Sequence, residues 1–125
     1  MRKILCGMVF LLPLGVGIAH AKGLEAVRPL PGYKCMALNL SPKQMMTETV
    51  PIRTAPSPSA PKHGIASAAV IASDNPPVNG FQKVLRFDGT PGWVSTTFLK
   101  PWVDPSHTGG TCVPSVMSDG LLGFG

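Results

Sequence analysis

Glycine and proline, 14 of each among 125 residues, interrupt this chain so often that no window keeps helical spacing of apolar residues over a dozen positions. Proline removes a backbone donor and fixes its own φ, so a ladder or helix must end near each one. Glycine supplies the backbone conformations that tight turns require. Both residue types fall between short apolar runs, so they act as punctuation between strands and do not form a low-complexity tract. The expected fold class is all-β and loop-rich, with at most one or two helical turns.

The N-terminus reads as an export signal. Arg2 and Lys3 precede an apolar run from Ile4 to Ile18, followed by Ala19-His20-Ala21, which predicts cleavage before Lys22. The run is broken by Pro13 and is shorter than the ~20 residues a membrane span needs, so no stable span is expected after cleavage. Cys6 lies too early in it for a lipidated cysteine and is expected to leave with the signal peptide. The expected organisation is a signal peptide at 1–21, a leader and arm at 22–49, a barrel at 50–103 and a C-terminal arm at 104–125. Losing Arg2 and Lys3 leaves nine basic residues against six acidic ones, a net charge of +3. The bases are scattered singly and are not clustered with aromatics, which argues against a nucleic-acid partner.

Cys35 and Cys112 are the two cysteines that remain. In an oxidising compartment, periplasmic or extracellular, an even count reads as a disulfide. Closing a loop of that length removes denatured-chain entropy corresponding to about 4.5 kcal/mol. A nucleophilic thiol would need a base. Only His63 and His107 survive processing, and neither has a catalytic setting.

Along the chain, Lys22–Pro31 is expected as a disordered leader. Ser41 followed by Pro42 predicts one helical turn through Met46, its paired methionines packed on the barrel. Strands are expected at Val50–Thr54, Gly64–Ala72, Phe81–Phe87 and Lys100–Val103. The hairpin at Asp88-Gly89 carries the strongest turn signal, and a 3₁₀ turn is expected at Thr96–Leu99. Strict alternation places Phe81, Lys83, Leu85 and Phe87 on one strand face and Gln82, Val84 and Arg86 on the other. Neither face is cleanly polar, which predicts either a bulge or cover from the cysteine-bearing arms. The apolar end, Leu121-Leu122-Gly123-Phe124, is expected to dock as an edge segment.

Three motifs in order resemble the bacterial SH3 domain family. Val50, Ile52, Arg53, Pro56 and Ser57 match its opening Val-x-Val-Arg-x-x-Pro-Ser pattern. Gly80-Phe81-Gln82-Lys83-Val84 stands where the family has a Gly-x-Trp-x-x-Val strand. Asp88-Gly89-Thr90-Pro91-Gly92-Trp93-Val94 matches its Asp-Gly-x-x-Gly-Trp-Val hairpin, and Phe98-Leu99 its closing turn. Phe81 replaces the usual tryptophan, and Arg86 falls where an apolar residue often sits. The resemblance implies a five-stranded SH3-like barrel, with flanks joined here by Cys35 and Cys112. A barrel of that size buries little, so such a staple has a physical reason.

The resemblance also implies recognition without turnover. Many such domains accompany cell-wall enzymes and contact peptidoglycan peptides. The expected partner is therefore peptidoglycan, peptide or glycan, and the alternative is an envelope protein for which this chain is a subunit or inhibitor. The groove would lie between the 55–63 loop, the 74–79 turn and the barrel edge, with Phe81, Asp88, Trp93 and Trp102 as ligand-binding residues. No nucleophile elbow, phosphate loop or zinc-helix motif is present, and the cysteines and histidines lack metal-ligand spacing. Neither an enzyme nor a cofactor is expected.

Overall fold

A computed structural model describes residues 23–104, 106 and 109–125. The export signal, Cys6 and His107 lie outside the described residues. The described residues form ten strands: β1 (Ala26–Pro29), β2 (Tyr33–Leu38), β3 (Pro51–Arg53), β4 (Lys62–Ile65), β5 (Ala69–Ser73), β6 (Phe81–Leu85), β7 (Pro91–Ser95), β8 (Leu99–Pro101), β9 (Pro114–Met117) and β10 (Leu122–Phe124). Among the described residues there are also one α-helix, α1 (Pro42–Thr47), and a 3₁₀ turn at Thr96–Phe98. No helix of the described residues is long and apolar enough to cross a membrane.

Two sheets result. The larger has seven strands in the order β4-β3-β7-β6-β5-β2-β8, and the smaller has three in the order β1-β9-β10. Pairing does not close the larger sheet into a barrel, since β4 and β8 remain its edges. The stretch expected as an N-terminal arm supplies β2, which lies inside this sheet between β5 and β8. The single strand expected over Gly64–Ala72 is two strands, β4 and β5, separated by Ala66–Ala68. The break has a local cause: the Ala66 N–H donates to Val50 C=O, while Ala68 C=O accepts from Leu38 N–H. These residues therefore serve different neighbours on either side of a corner.

The interior collects one face of the larger sheet. Leu38, Val50, Ile52, Val70, Ala72, Val84, Val94 and Leu99 form a buried cluster, with Met36, Leu40 and Phe98 packed against it. Register explains the membership: Ala72 pairs with Val84, Val84 with Gly92, and Gln82 with Val94. Gln82 is polar yet 4% exposed, and its Nε2 donates to the Ser73 carbonyl at 2.8 Å. That bond satisfies a group that burial alone would penalise.

The two-faced character of β6 is resolved by cover. No register shift interrupts the β5–β6–β7 pairing. Ile71 shares the outer face with its partners Cys35 and Leu85, and it is fully buried without belonging to the interior cluster. The Cys35–Cys112 disulfide, closing 77 residues of sequence, holds the C-terminal arm on this side.

Two sequence expectations fail outright. The leader expected to be disordered forms β1, which pairs with β9 from Ala26 to Pro29. The methionines of α1 do not pack on the sheet: the helix buries no residue, and Met46 is 87% exposed. Local bonds suffice to hold α1. Ser41 Oγ accepts from the Gln44 N–H, the Gln44 Oε1 accepts from the Ser41 N–H, and Pro42 occupies the first turn.

Candidate binding site

The β6–β7 hairpin sets the geometry of the outer face. Arg86 N–H donates to Thr90 C=O, and Gly89 N–H donates back to Arg86 C=O at 2.9 Å each. Gly89 takes φ +88°, a conformation that costs glycine nothing and fixes the three-residue connection. Asp88 Oδ1 accepts from Thr90 N–H at 2.9 Å. That backbone bond, helped by the Thr90 hydroxyl and the nearby Arg86 charge, holds the exposed Asp88 carboxyl below the usual carboxylate range.

This hairpin aligns side chains of opposite character on one face. Phe81 faces Ser95, Lys83 faces Trp93, and Trp93 in turn faces Arg53 on β3. A half-buried indole is thus set between two cations, Arg53 and Lys83. Arg53 is held in place by its Nη1, which donates to the Ala60 carbonyl at 2.9 Å. Beside this row lies a groove of about 200 Å³, lined by Pro51, Arg53, Pro58, Phe81, Ser95 and Phe98. Pro58 comes from the 55–63 loop, and Phe81 follows the 74–79 turn.

A second, larger cleft of about 320 Å³ opens at the other end of the hairpin. Ile52, Val70 and Val84 of the interior form its floor. Ile65, Phe87 and Leu121 stand around it, and their exposures of 63%, 39% and 49% mark an apolar rim facing solvent. Arg86 and Asp88 also line it. Arg86 spans from β6 to the edge strand β4, where its Nη1 donates to the His63 carbonyl at 2.9 Å and lies 3.3 Å from His63 Nδ1. Arginine only donates, so that contact requires Nδ1 to accept and Nε2 to carry the proton. The Nε2 atom is buried without a partner, against the space that Gly92 leaves open.

The four residues expected to bind ligand do not converge. Phe81 and Trp93 share the outer face of β6 and β7. Asp88 sits at the hairpin tip on the larger cleft, and Trp102 lies just beyond β8 at the opposite edge of the sheet. Sequence reasoning missed Arg53, Lys83, Pro58 and Phe98 as site residues. Alternation along β6 already put Lys83 on the Phe81 face. The cross-strand register that adds Trp93 and Arg53 depends on the turn and on a distant strand.

Cys35 and Cys112 form the expected disulfide, with Cα atoms 6.1 Å apart. Among the described residues no three His, Cys, Asp or Glu side chains come together to hold a metal ion. Compared with known proteins, the chain matches no family model, no curated protein and no solved structure.

Proposed function

We propose that this chain is a non-enzymatic, SH3-like binding module of the cell envelope that recognises a cell-wall peptide or glycan on the outer face of β3, β7 and β6. The observation that carries this reading is the row Arg53–Trp93–Lys83 beside the Phe81–Phe98 groove. An indole between two cations suits a ligand that offers carboxylates next to a flat apolar surface. The prolines and phenylalanines of the groove suit an extended chain. The SH3-like assignment draws support from the motif order, from the hairpin at Asp88-Gly89 and from the 3₁₀ turn at Thr96–Phe98 that precedes β8. Export is the context in which the Cys35–Cys112 disulfide would persist.

The test is sedimentation of the purified, oxidised protein with isolated peptidoglycan, at low and at moderate salt. Saturable binding is expected that weakens as salt screens Arg53 and Lys83. Trp93→Ala, checked for folding by circular dichroism, is expected to weaken it by about fivefold, since a stacked aromatic contributes about 1 kcal/mol beyond its buried area. Trp102→Ala, at the far sheet edge, is expected to leave it unchanged. Absence of binding at both salt concentrations would overturn the wall reading in favour of an envelope protein as partner. Loss with Trp102→Ala alone would move the site.

A further inference from the structure

The larger cleft is chemically unlike the groove, and its walls limit what could occupy it. The floor of Ile52, Val70 and Val84 offers no hydrogen-bonding side chain. A peptide backbone lowered onto that floor would bury N–H and C=O groups without partners, which is costly. An alkyl chain has none to satisfy. The cleft's volume of about 320 Å³ is near the small end of ligand pockets. A water molecule's share of liquid volume is about 30 Å³, so the space takes on the order of ten methylene-sized groups.

One end of the cleft is charged. Arg86 uses Nη1 on His63, and among the described residues its Nη2 has no hydrogen-bond partner. Asp88 is the other charged residue on the cleft, but it is fully exposed at the hairpin tip and its Oδ1 is occupied by the Thr90 N–H. The half-buried guanidinium therefore dominates the polar end. It is positioned by β4 and β6 together, and its stem packs over Gly64, where a Cβ would stand 3.3 Å from Nε.

We propose that this cleft is a binding site for a medium-chain aliphatic carboxylate, its alkyl chain over Ile52, Val70 and Val84 and its carboxylate on the free edge of Arg86. The exposed rim of Ile65, Phe87 and Leu121 closes around the chain. This site is separate from the outer-face groove, with which it shares no lining residue.

The test uses the oxidised protein, with isotope-labelled amides, titrated with sodium decanoate below its micellar concentration. Saturable one-site binding is expected, with shifts at Ile65, Val84 and Phe87 and none at Phe98. Each methylene removed, from decanoate down to hexanoate, should weaken binding by roughly fourfold. Decyltrimethylammonium, with the same chain and the opposite charge, should bind at least tenfold more weakly. Arg86→Gln should abolish that preference. Because Arg86 also ties β6 to β4, Ile65→Asp serves as a second variant: Ile65 is 63% exposed, so the melting temperature should hold while decanoate affinity falls. Failure of decanoate to saturate, equal binding of the ammonium probe, or shifts confined to the Phe81–Phe98 groove would each overturn the proposal.

Discussion

The seven-stranded sheet is held by what it buries, whereas the three-stranded sheet is held by what it is tied to. In the larger sheet, β2, β3 and β5 to β8 each contribute to one cluster of buried side chains, and Ile71, Val50, Val84 and Val94 are essentially inaccessible to solvent. In the smaller sheet all of β1 is exposed, β10 is only half-buried, and β9 buries Pro114 and Ser115. Leu24, Val27 and Val113, on or beside these strands, are 62%, 62% and 41% exposed. The small sheet instead depends on discrete fastenings to the large one: the disulfide, the Leu122 N–H donating to Phe87 C=O, and the edge-to-face pair of Phe87 with Phe124 at 5.8 Å. Three strands with so little apolar burial are marginal by themselves. Covalent attachment stands in for a second core.

The most direct way to break this contrast is to remove the disulfide. Cys35→Ala with Cys112→Ala is expected to cost about 4 kcal/mol in denaturant unfolding, near the loss predicted for a loop of that length. The loss should also be uneven. Hydrogen exchange is expected to accelerate first in β1, β9 and β10, with β5 to β7 retaining protection until global unfolding. Uniform acceleration would mean that the two sheets form one cooperative unit. Next in size is Ile71→Ala, which empties the space between the larger sheet and its cover. A cost of about 3 kcal/mol is expected from lost burial and the cavity left behind, measured by the same denaturant titration. If Ile71→Ala also accelerates exchange in β9, the cover depends on packing as well as on the bridge. If exchange there is unchanged, the fastenings alone hold it.

What the sequence made legible follows the same division. Short-range signals were sufficient where a local bond decides the outcome: Ser41-Pro42 for α1, Asp88-Gly89 for the hairpin, Thr96–Phe98 for the 3₁₀ turn. The pairing of Cys35 with Cys112, which the structure shows, followed from the cysteine count and the expectation of export. Long-range contacts were not legible. Nothing local in Ala26–Pro29 announces a strand, because β1 exists through its partner β9 more than 80 residues away. Met45 and Met46 looked like packing residues from their chemistry, but a helix closed by its own capping box needs no surface to pack on. The site shows both cases. Alternation placed Lys83 with Phe81, whereas Arg53 joins Trp93 only through the β3–β7 pairing. The apolar cleft was invisible for the same reason, since its rim draws Ile65, Phe87 and Leu121 from three separate stretches of chain.

The smallest expected effect falls where the two sheets meet. Asp88 is next to Phe87, whose carbonyl and ring carry two of the three fastenings. Its carboxyl is held below the usual range by the Thr90 backbone bond first and by the Arg86 charge after it, so the folded state favours the ionised form. The sign follows from linkage. The stability this carboxylate lends is complete above the ordinary carboxylate range and is lost as pH falls through its lower folded pKa. Asp88→Asn keeps an oxygen able to accept from the Thr90 N–H and removes only the charge. The variant should therefore melt slightly below the wild type at about pH 7, and the gap should narrow as pH falls below the ordinary carboxylate range. A gap that widens on acidification would contradict this assignment. Exchange at the Leu122 amide adds a second readout. If removing the charge speeds it at about pH 7, the hairpin tip helps to seat β10, and the small sheet has a fourth, electrostatic fastening.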